Sequence, residues 1–292
     1  MNQFFHQLNQ SHKNLNQDDY IHKTSALMKD ALMHQDMLNS ILVIGAGNLS
    51  DIALDFLCDK FHDIYLTDID LESMNQALVE KQNHAKIKVI QMDYLGLADV
   101  YFTNAFFHAL RTKTKKQIED GIHQEINHLL EHHFSAKFTQ KFDVIYISPI
   151  YTQLLYRECE YKLSANPSYG LSSEIKEFAL SLLLQEMTRV LHHFNQEIIS
   201  LLHPKGLLFV ASDIFLLTDN EFSSKVKKHI NNQERMDDIH QSYLKQYGMG
   251  LGDFGLEDLI THFQNVKKTW LLWGIQAHQS YAVQFCILKS LI

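Results

Sequence analysis

The sequence predicts an α/β fold: a doubly wound, mostly parallel sheet of about seven strands, with an antiparallel C-terminal strand and helical additions. Three observations predict it. The apolar run Ile41-Leu42-Val43-Ile44 leads directly into Gly45-Ala46-Gly47 and then into a helical pattern, which is the order of a buried strand, a tight turn and a helix start. Further short apolar runs at 63–70, 86–92, 142–147 and 207–212 alternate with helical periodicity, as strands covered on both faces do. Finally, residues 269–288 carry no formal charge but are interrupted by Gly274, Gln276, His278, Gln279, Ser280 and Gln284. That reads as an antiparallel hairpin at a sheet edge and not as a membrane span.

Bulk properties set the bounds. The 292 residues, 46% of them hydrophobic, suffice for one large domain with additions. We divide the chain into an N-terminal helical extension, 1–40, and a main domain, 41–292, with helical insertions at 97–141 and 218–254. The net charge of −8, from 34 acidic and 26 basic residues, argues against nucleic acid as a partner. Cys58, Cys159 and Cys286 have no CxxC spacing, so a reducing, cytoplasmic setting is expected, without a disulfide framework or a cysteine zinc site. Residues 1–10 lack the basic and apolar segments of a secretory signal.

Taken in order, residues 1–39 place apolar side chains at loose helical spacing, which predicts about two helices, either packed on the core or lying over the ligand crevice as a lid. After the glycine turn, Asn48 to Asp51 offer capping side chains for a helix from about Ile52. The second strand ends in Thr67-Asp68-Ile69-Asp70. Asp68 lies 23 residues beyond Gly45, the separation at which a strand-end carboxylate reaches a ribose diol bound over the turn. The third strand ends in Asp93-Tyr94, where a carboxylate can accept a hydrogen bond from an adenine amine while Tyr94 or Met92 packs on the base.

Within 97–141, Phe102, Phe106, Phe107 and Leu110 form an apolar stripe, and residues 111–116 form a basic run read as a solvated helix face. His128 and His132 share a helix face, but a third ligand has no evident source, so no metal site is assigned. The fourth strand is followed by Ser148-Pro149-Ile150-Tyr151. Proline there stiffens the chain over the crevice, and Ser148 and Tyr151 are the candidate catalytic residues, with Asp213 and Tyr146 behind them. A long helix is expected over 172–202, a turn at Pro204-Lys205-Gly206 before the fifth strand, and a flexible return at 248–255 before a helix from Leu256.

Five βα units, a glycine turn after the first strand and a closing antiparallel pair make the chain resemble the class I S-adenosylmethionine-dependent methyltransferases, from about Ile41 to Leu288. The resemblance implies a Rossmann-like methyltransferase fold and S-adenosyl-L-methionine as cofactor. It implies that Gly45, Ala46 and Gly47 cradle the methionine part, Asp68 with Ile69 the ribose, Asp93 with Tyr94 the adenine, and that Ser148 to Tyr151 border the acceptor. The chain departs from the family pattern at Leu49, where many members carry a third glycine, and at Ile150, where amino-group methyltransferases carry a second proline. Methyl transfer needs alignment and exclusion of water more than a strong base, so the lack of a Ser/His/Asp signature is consistent with it. The implied acceptor is a small molecule or a peptide-like group. Two other readings stay open: an NAD(P)-dependent Rossmann oxidoreductase, against which Ser50 stands where the third glycine of GxGxxG belongs, and a non-catalytic cofactor-binding scaffold.

Overall fold

A computed structural model of the chain describes residues 5–7, 9, 17–34, 38–79, 85–97, 102–165, 169–276 and 279–290. Helix α1 (Asp18–Ala31) precedes strand β1 (Leu38–Ile44), followed by α2 (Leu54–Lys60), β2 (Phe61–Asp68), α3 (Leu71–Val79) and β3 (Ile87–Gln91). Helices α4 (Asn104–Ala109) and α5 (Lys115–Leu129) fill the first insertion before β4 (Phe142–Ile147). Then come α6 (Tyr156–Ala165), α7 (Ser173–Leu201), β5 (Leu202–Leu217), α8 (Glu221–His229), α9 (Gln233–Tyr247), α10 (Leu251–Ile260), β6 (Phe263–Gln276) and β7 (Gln279–Ser290).

The strands form one seven-stranded sheet in the order β3-β2-β1-β4-β5-β7-β6. Strands β1 to β5 pair in parallel, and β7 lies antiparallel between β5 and β6. This order, with its reversed penultimate position, is the class I methyltransferase fold. Register aligns Ile44 with both Thr67 and Ile147, so the C-terminal ends of β1, β2 and β4 meet at one edge. Strand order reverses there, leaving the crevice in which an open α/β sheet binds ligands.

Alternation along each strand divides the core. Leu42, Ile44, Ile145, Ile147, Leu208 and Val210 face α5 and α7, whereas Ile41, Val43, Val144, Tyr146, Phe209 and Ala211 face α1 and α2. Capping starts these helices where the sequence offers a hydroxyl: Ser172 accepts the Ile175 N–H at the head of α7, and Thr114 with Gln117 forms a capping box at α5. The basic run is solvated and paired, with Lys115 2.7 Å from Glu174.

Three local expectations are corrected. Pro204-Lys205-Gly206 does not form a turn but lies inside β5, where Gly206 lets the strand pass close to the Asp143 carbonyl across a register shift between Phe142 and Val144. Residues 251–255 are helical rather than a flexible return. Gly252 and Gly255 sit in α10 because a Cβ at the first would meet the Asp213 carbonyl at 2.6 Å, and one at the second would enter the Tyr151 ring. Helix α2 begins at Leu54 with Ala53 as an uncapped N-cap, so Asn48 to Asp51 are not its caps. Part of the loop expected at 166–170 lies outside the described residues. Among the described residues, no helix is long and apolar enough to cross a membrane.

Candidate functional site

The turn after β1 is held by the end of β2. Gly45 and Gly47 adopt left-handed φ of +74° and +51°, and Leu49 adopts +59° in the position of the missing third glycine. A side chain at that φ costs about 1–2 kcal/mol, which its buried leucyl group offsets. The Thr67 carbonyl accepts the N–H groups of Gly45 and Ala46 at 3.1 and 3.0 Å, and the Asp68 carboxylate accepts that of Gly47 at 2.9 Å. The other Asp68 oxygen accepts the Asp70 N–H at 2.9 Å. Burial pushes the Asp68 carboxyl above its ordinary range, and these backbone N–H bonds oppose the shift. Each oxygen keeps a second lone pair.

Tyr94 is tied to the same turn. Its hydroxyl accepts the Gly45 N–H at 2.9 Å and donates to the Thr67 carbonyl at 2.9 Å, while its ring stands edge-on to Phe134 and Phe194. It borders the cleft, but its polar end locks the loop. Asp93 stands opposite, with the His132 ring 3.0 Å from its carbonyl oxygen and its carboxylate accepting the Leu95 N–H. Helix α5 ends at Leu129, so His132 lies in the turn beyond it, its N–H on the Leu129 carbonyl, and does not share a helix face with His128 as expected; among the described residues neither joins a metal-ligating group.

A cleft over the turn is bordered by Gly45, Gly47, Asp51, Asp68, Ile69, Asp93 and Tyr94 on the strand-end side. Leu95, Leu97, Ser148, Pro149, Ile150, Gln153, Leu154 and Trp273 continue the wall. Phe5 and Asn9 complete the lining. Asn9 donates to Asp70 at 3.0 Å and its carbonyl accepts the Asn48 amide at 2.8 Å; His6 stands 3.3 Å from the same Asp70 carboxylate. Burial raises the Asp70 pKa, but the bonds from Asn9, Ser73 and His6 outweigh it and hold the group below its usual range. Asp70 therefore holds His6 and Asn9 beside the cleft. The cleft wall contains three carboxylates and, among the described residues, no lysine, arginine or histidine.

The predicted residues divide. Gly45, Gly47, Asp68, Ile69, Asp93, Tyr94 and Ser148 all border the cleft, whereas Ala46 is buried beneath the turn and contributes its N–H to Thr67. Tyr151 is not brought to the cleft. Its ring is fully buried against Phe194 and Gly255, and its hydroxyl donates to Asn195 at 3.0 Å, so in this structure it packs helix α10 instead of facing a reactant. Ser148 does face the cleft, donating from Oγ to Asp51 at 2.9 Å.

Asp51 and Trp273 are the polar and aromatic cleft residues of most consequence to which sequence reasoning assigned no site role; Leu95, Leu97, Gln153 and Leu154 are others, while Phe5 and Asn9 belong to the segment offered as a lid. Asp51 is 6% exposed, and burial pushes its carboxyl up to about 6, with the Ser148 bond opposing and the Asp68 charge adding. Its only sequence signal was an acid directly after the glycine turn, which is indistinguishable from a helix cap. Trp273 enters from β6, held by Gln17, and gave no signal beyond its strand pattern.

No protein-family model matches the chain, and no curated protein matches it in sequence. Solved structures are similar in fold. An N-methyltransferase, NodS from Bradyrhizobium japonicum WM9, is 11% identical, with a TM-score of 0.48 and coverage of 94% of this chain and 99% of that one. TrmN from Thermus thermophilus is 10% identical at a TM-score of 0.42, over 91% of this chain and 48% of that one. A spermidine synthase from Thermotoga maritima is 10% identical at 0.36, over 86% and 53%. These likenesses concern the fold, which the strand order of this chain carries by itself.

Proposed function

We propose that this chain is an S-adenosylmethionine-dependent methyltransferase acting on a small-molecule or peptide-like acceptor in a crevice capped by its N-terminal segment. The observation that carries the reading is the charge of the cleft: Asp51, Asp68 and Asp93 border it without a basic side chain among the described residues. A nicotinamide dinucleotide would bring an anionic pyrophosphate against those acids, at a cost rising steeply in a low-dielectric cleft. S-adenosylmethionine brings a sulfonium and an ammonium against one carboxylate and no phosphate, and the donor set fits it.

In this reading the backbone at Gly45 and Gly47 borders the methionine end. Asp68 uses its remaining lone pairs on the ribose hydroxyls, and Asp93 accepts from the adenine amine beside Ile69, Leu95 and Leu97. When bound, the cofactor supplies a methyl group already activated by its sulfonium. The chain supplies alignment: Tyr94 and Asp68 fix the turn, Ser148 and the Pro149 carbonyl orient the acceptor, and Phe5 with Asn9 exclude water. Calorimetric titration tests this. Micromolar binding of S-adenosylhomocysteine, with no response to NAD or NADP, is expected; binding of a dinucleotide without binding of S-adenosylhomocysteine overturns it.

A further inference from the structure

Behind the Ser148 wall lies a group of buried polar and aromatic side chains that the cofactor contacts do not use. Asp51 and Asp213 are 6% and 3% exposed, and each is met by a hydroxyl: Ser148 on Asp51 at 2.9 Å and Thr152 on Asp213 at 2.7 Å. Among the described residues neither carboxylate forms an ion pair. The cation near Asp213 is Arg157, whose guanidinium is already 3.1 Å from Glu160.

Aromatic rings lie beside these carboxylates, with Tyr20 within range of both charges and Tyr281 within range of that of Asp213. Tyr20 and Trp273 have centroids 6.3 Å apart, and Trp273 stacks on Tyr281 at 6.0 Å. The Tyr20 hydroxyl feels the charges of both Asp51 and Asp213 and stands beside that of Tyr146. Oδ1 of Asp213 is buried without a hydrogen-bond partner among the described residues, while the hydroxyls of Tyr20 and Tyr146 meet each other without a well-formed bond. Orphaned buried polar atoms are rare in folded proteins and mark a missing partner. Asp51, Ser148 and Trp273 also stand on the cleft wall, so this group meets the crevice at those three residues, with Asp213 buried behind them.

A buried carboxylate with no cation among its described neighbours, Asp51, and a second, Asp213, whose nearby cation is already paired with Glu160, both beside aromatic rings, are the recognition chemistry of an organic cation. We infer that the acceptor is a small organic amine, bound as its ammonium ion between Asp51 and the Trp273 ring, with Asp213 as the second carboxylate of the seat. The inference rests on the methyltransferase reading and names its substrate class. In the transfer itself, Asp51 takes one proton from the ammonium, freeing the nitrogen lone pair. The nitrogen forms its bond to the methyl carbon as the carbon–sulfur bond breaks, the bonding pair remains on sulfur as a neutral thioether, and the product leaves as a methylated ammonium ion.

Matched probes test the seat. Benzylamine, cyclohexylamine and 1,4-diaminobutane, and their alcohol counterparts benzyl alcohol, cyclohexanol and 1,4-butanediol, are titrated into the full chain with and without S-adenosylhomocysteine, with calorimetry or tryptophan fluorescence as readout. At least one amine is expected to bind tenfold or more tightly than its alcohol, and Asp51→Asn and Asp213→Asn are each expected to remove that preference. Amines binding no better than their alcohols in the unaltered protein overturn the inference, and that comparison needs no variant to fold. If S-adenosylhomocysteine binds and the amine preference is absent, the seat fails while the cofactor reading stands. If amines are preferred and S-adenosylhomocysteine does not bind, the cofactor reading fails instead.

Discussion

Replacing Asp51 by asparagine should stabilise the folded protein at neutral pH, and the size of the gain follows from its burial. Its carboxyl is raised from an ordinary 3.8 to about 6 in the folded chain. A group with a raised folded pKa contributes stability that is fully present below the unfolded value and is lost as pH rises through the folded one. Above pH 7 it is ionised in both states, and the difference of about two units corresponds to about 3 kcal/mol of destabilisation. Asparagine has the same shape, presents an oxygen to the Ser148 hydroxyl and carries no charge, so most of that cost should vanish, less the penalty for its unpaired amide. The same linkage shrinks the gain to about 0.5 kcal/mol near pH 4, where the aspartate is largely protonated in the folded state. Melting temperatures of the two proteins at pH 7.5 and pH 4 measure it directly, a gain of a few degrees at the higher pH being expected for a chain of this size. A variant that melts lower than the parent at pH 7.5, or whose advantage is the same at both pH values, would show that Asp51 is not a buried, uncompensated charge.

Other substitutions probe the rest of the site. Asp68→Ala removes the carboxylate from both the turn and the crevice and should weaken S-adenosylhomocysteine binding by about 1–3 kcal/mol, read by calorimetry. Tyr94→Phe deletes the hydroxyl that joins Gly45 to Thr67 and should cost about 1 kcal/mol in denaturant unfolding, together with some cofactor-product affinity. Gly255→Ala places a methyl group in the Tyr151 ring and should destabilise by about 1–3 kcal/mol or more through overpacking, seen as a lower denaturation midpoint. At Leu49 the usual ranking should invert: alanine keeps the left-handed strain while glycine relieves it, so Leu49→Gly should melt no lower than Leu49→Ala.

The strands were legible because parallel strands covered on both faces appear as continuous apolar runs, and Ile41 to Ile44 is such a run. The glycine turn was legible because it needs residues tolerant of positive φ. Helix α10 was not, since Gly248 to Gly255 has the composition of a loop. Its glycines serve contacts with Asp213 and Tyr151, residues distant in the chain. Likewise nothing local turns Tyr151 inward; that follows from Asn195 receiving its hydroxyl and Gly255 leaving room for its ring. Asp51 shows the same limit at the site. Its bond to Ser148 spans 97 residues, and without that pairing an acid after a glycine turn reads as a helix cap.

The acids at the C-terminal edge of the sheet differ in how far their charge is compensated. Asp70 is the exception that makes the comparison: with bonds from Asn9, Ser73 and His6, its charge is compensated and its pKa falls. Burial raises the pKa of Asp51, Asp68 and Asp213. A fold under selection for stability alone would replace such groups with neutral side chains of similar volume. Retaining them beside a turn that exposes backbone to a ligand creates a pocket whose field favours positive charge at two places. In the proposed reading one, near Asp68 and the glycine turn, takes the sulfonium cofactor, and the other, between Asp51 and Trp273 with Asp213 behind, takes the amine it would meet. Because Asp51 borders both, occupation of either place should lower its pKa, and S-adenosylhomocysteine, which lacks the sulfonium charge, should bind with less proton release than S-adenosylmethionine does.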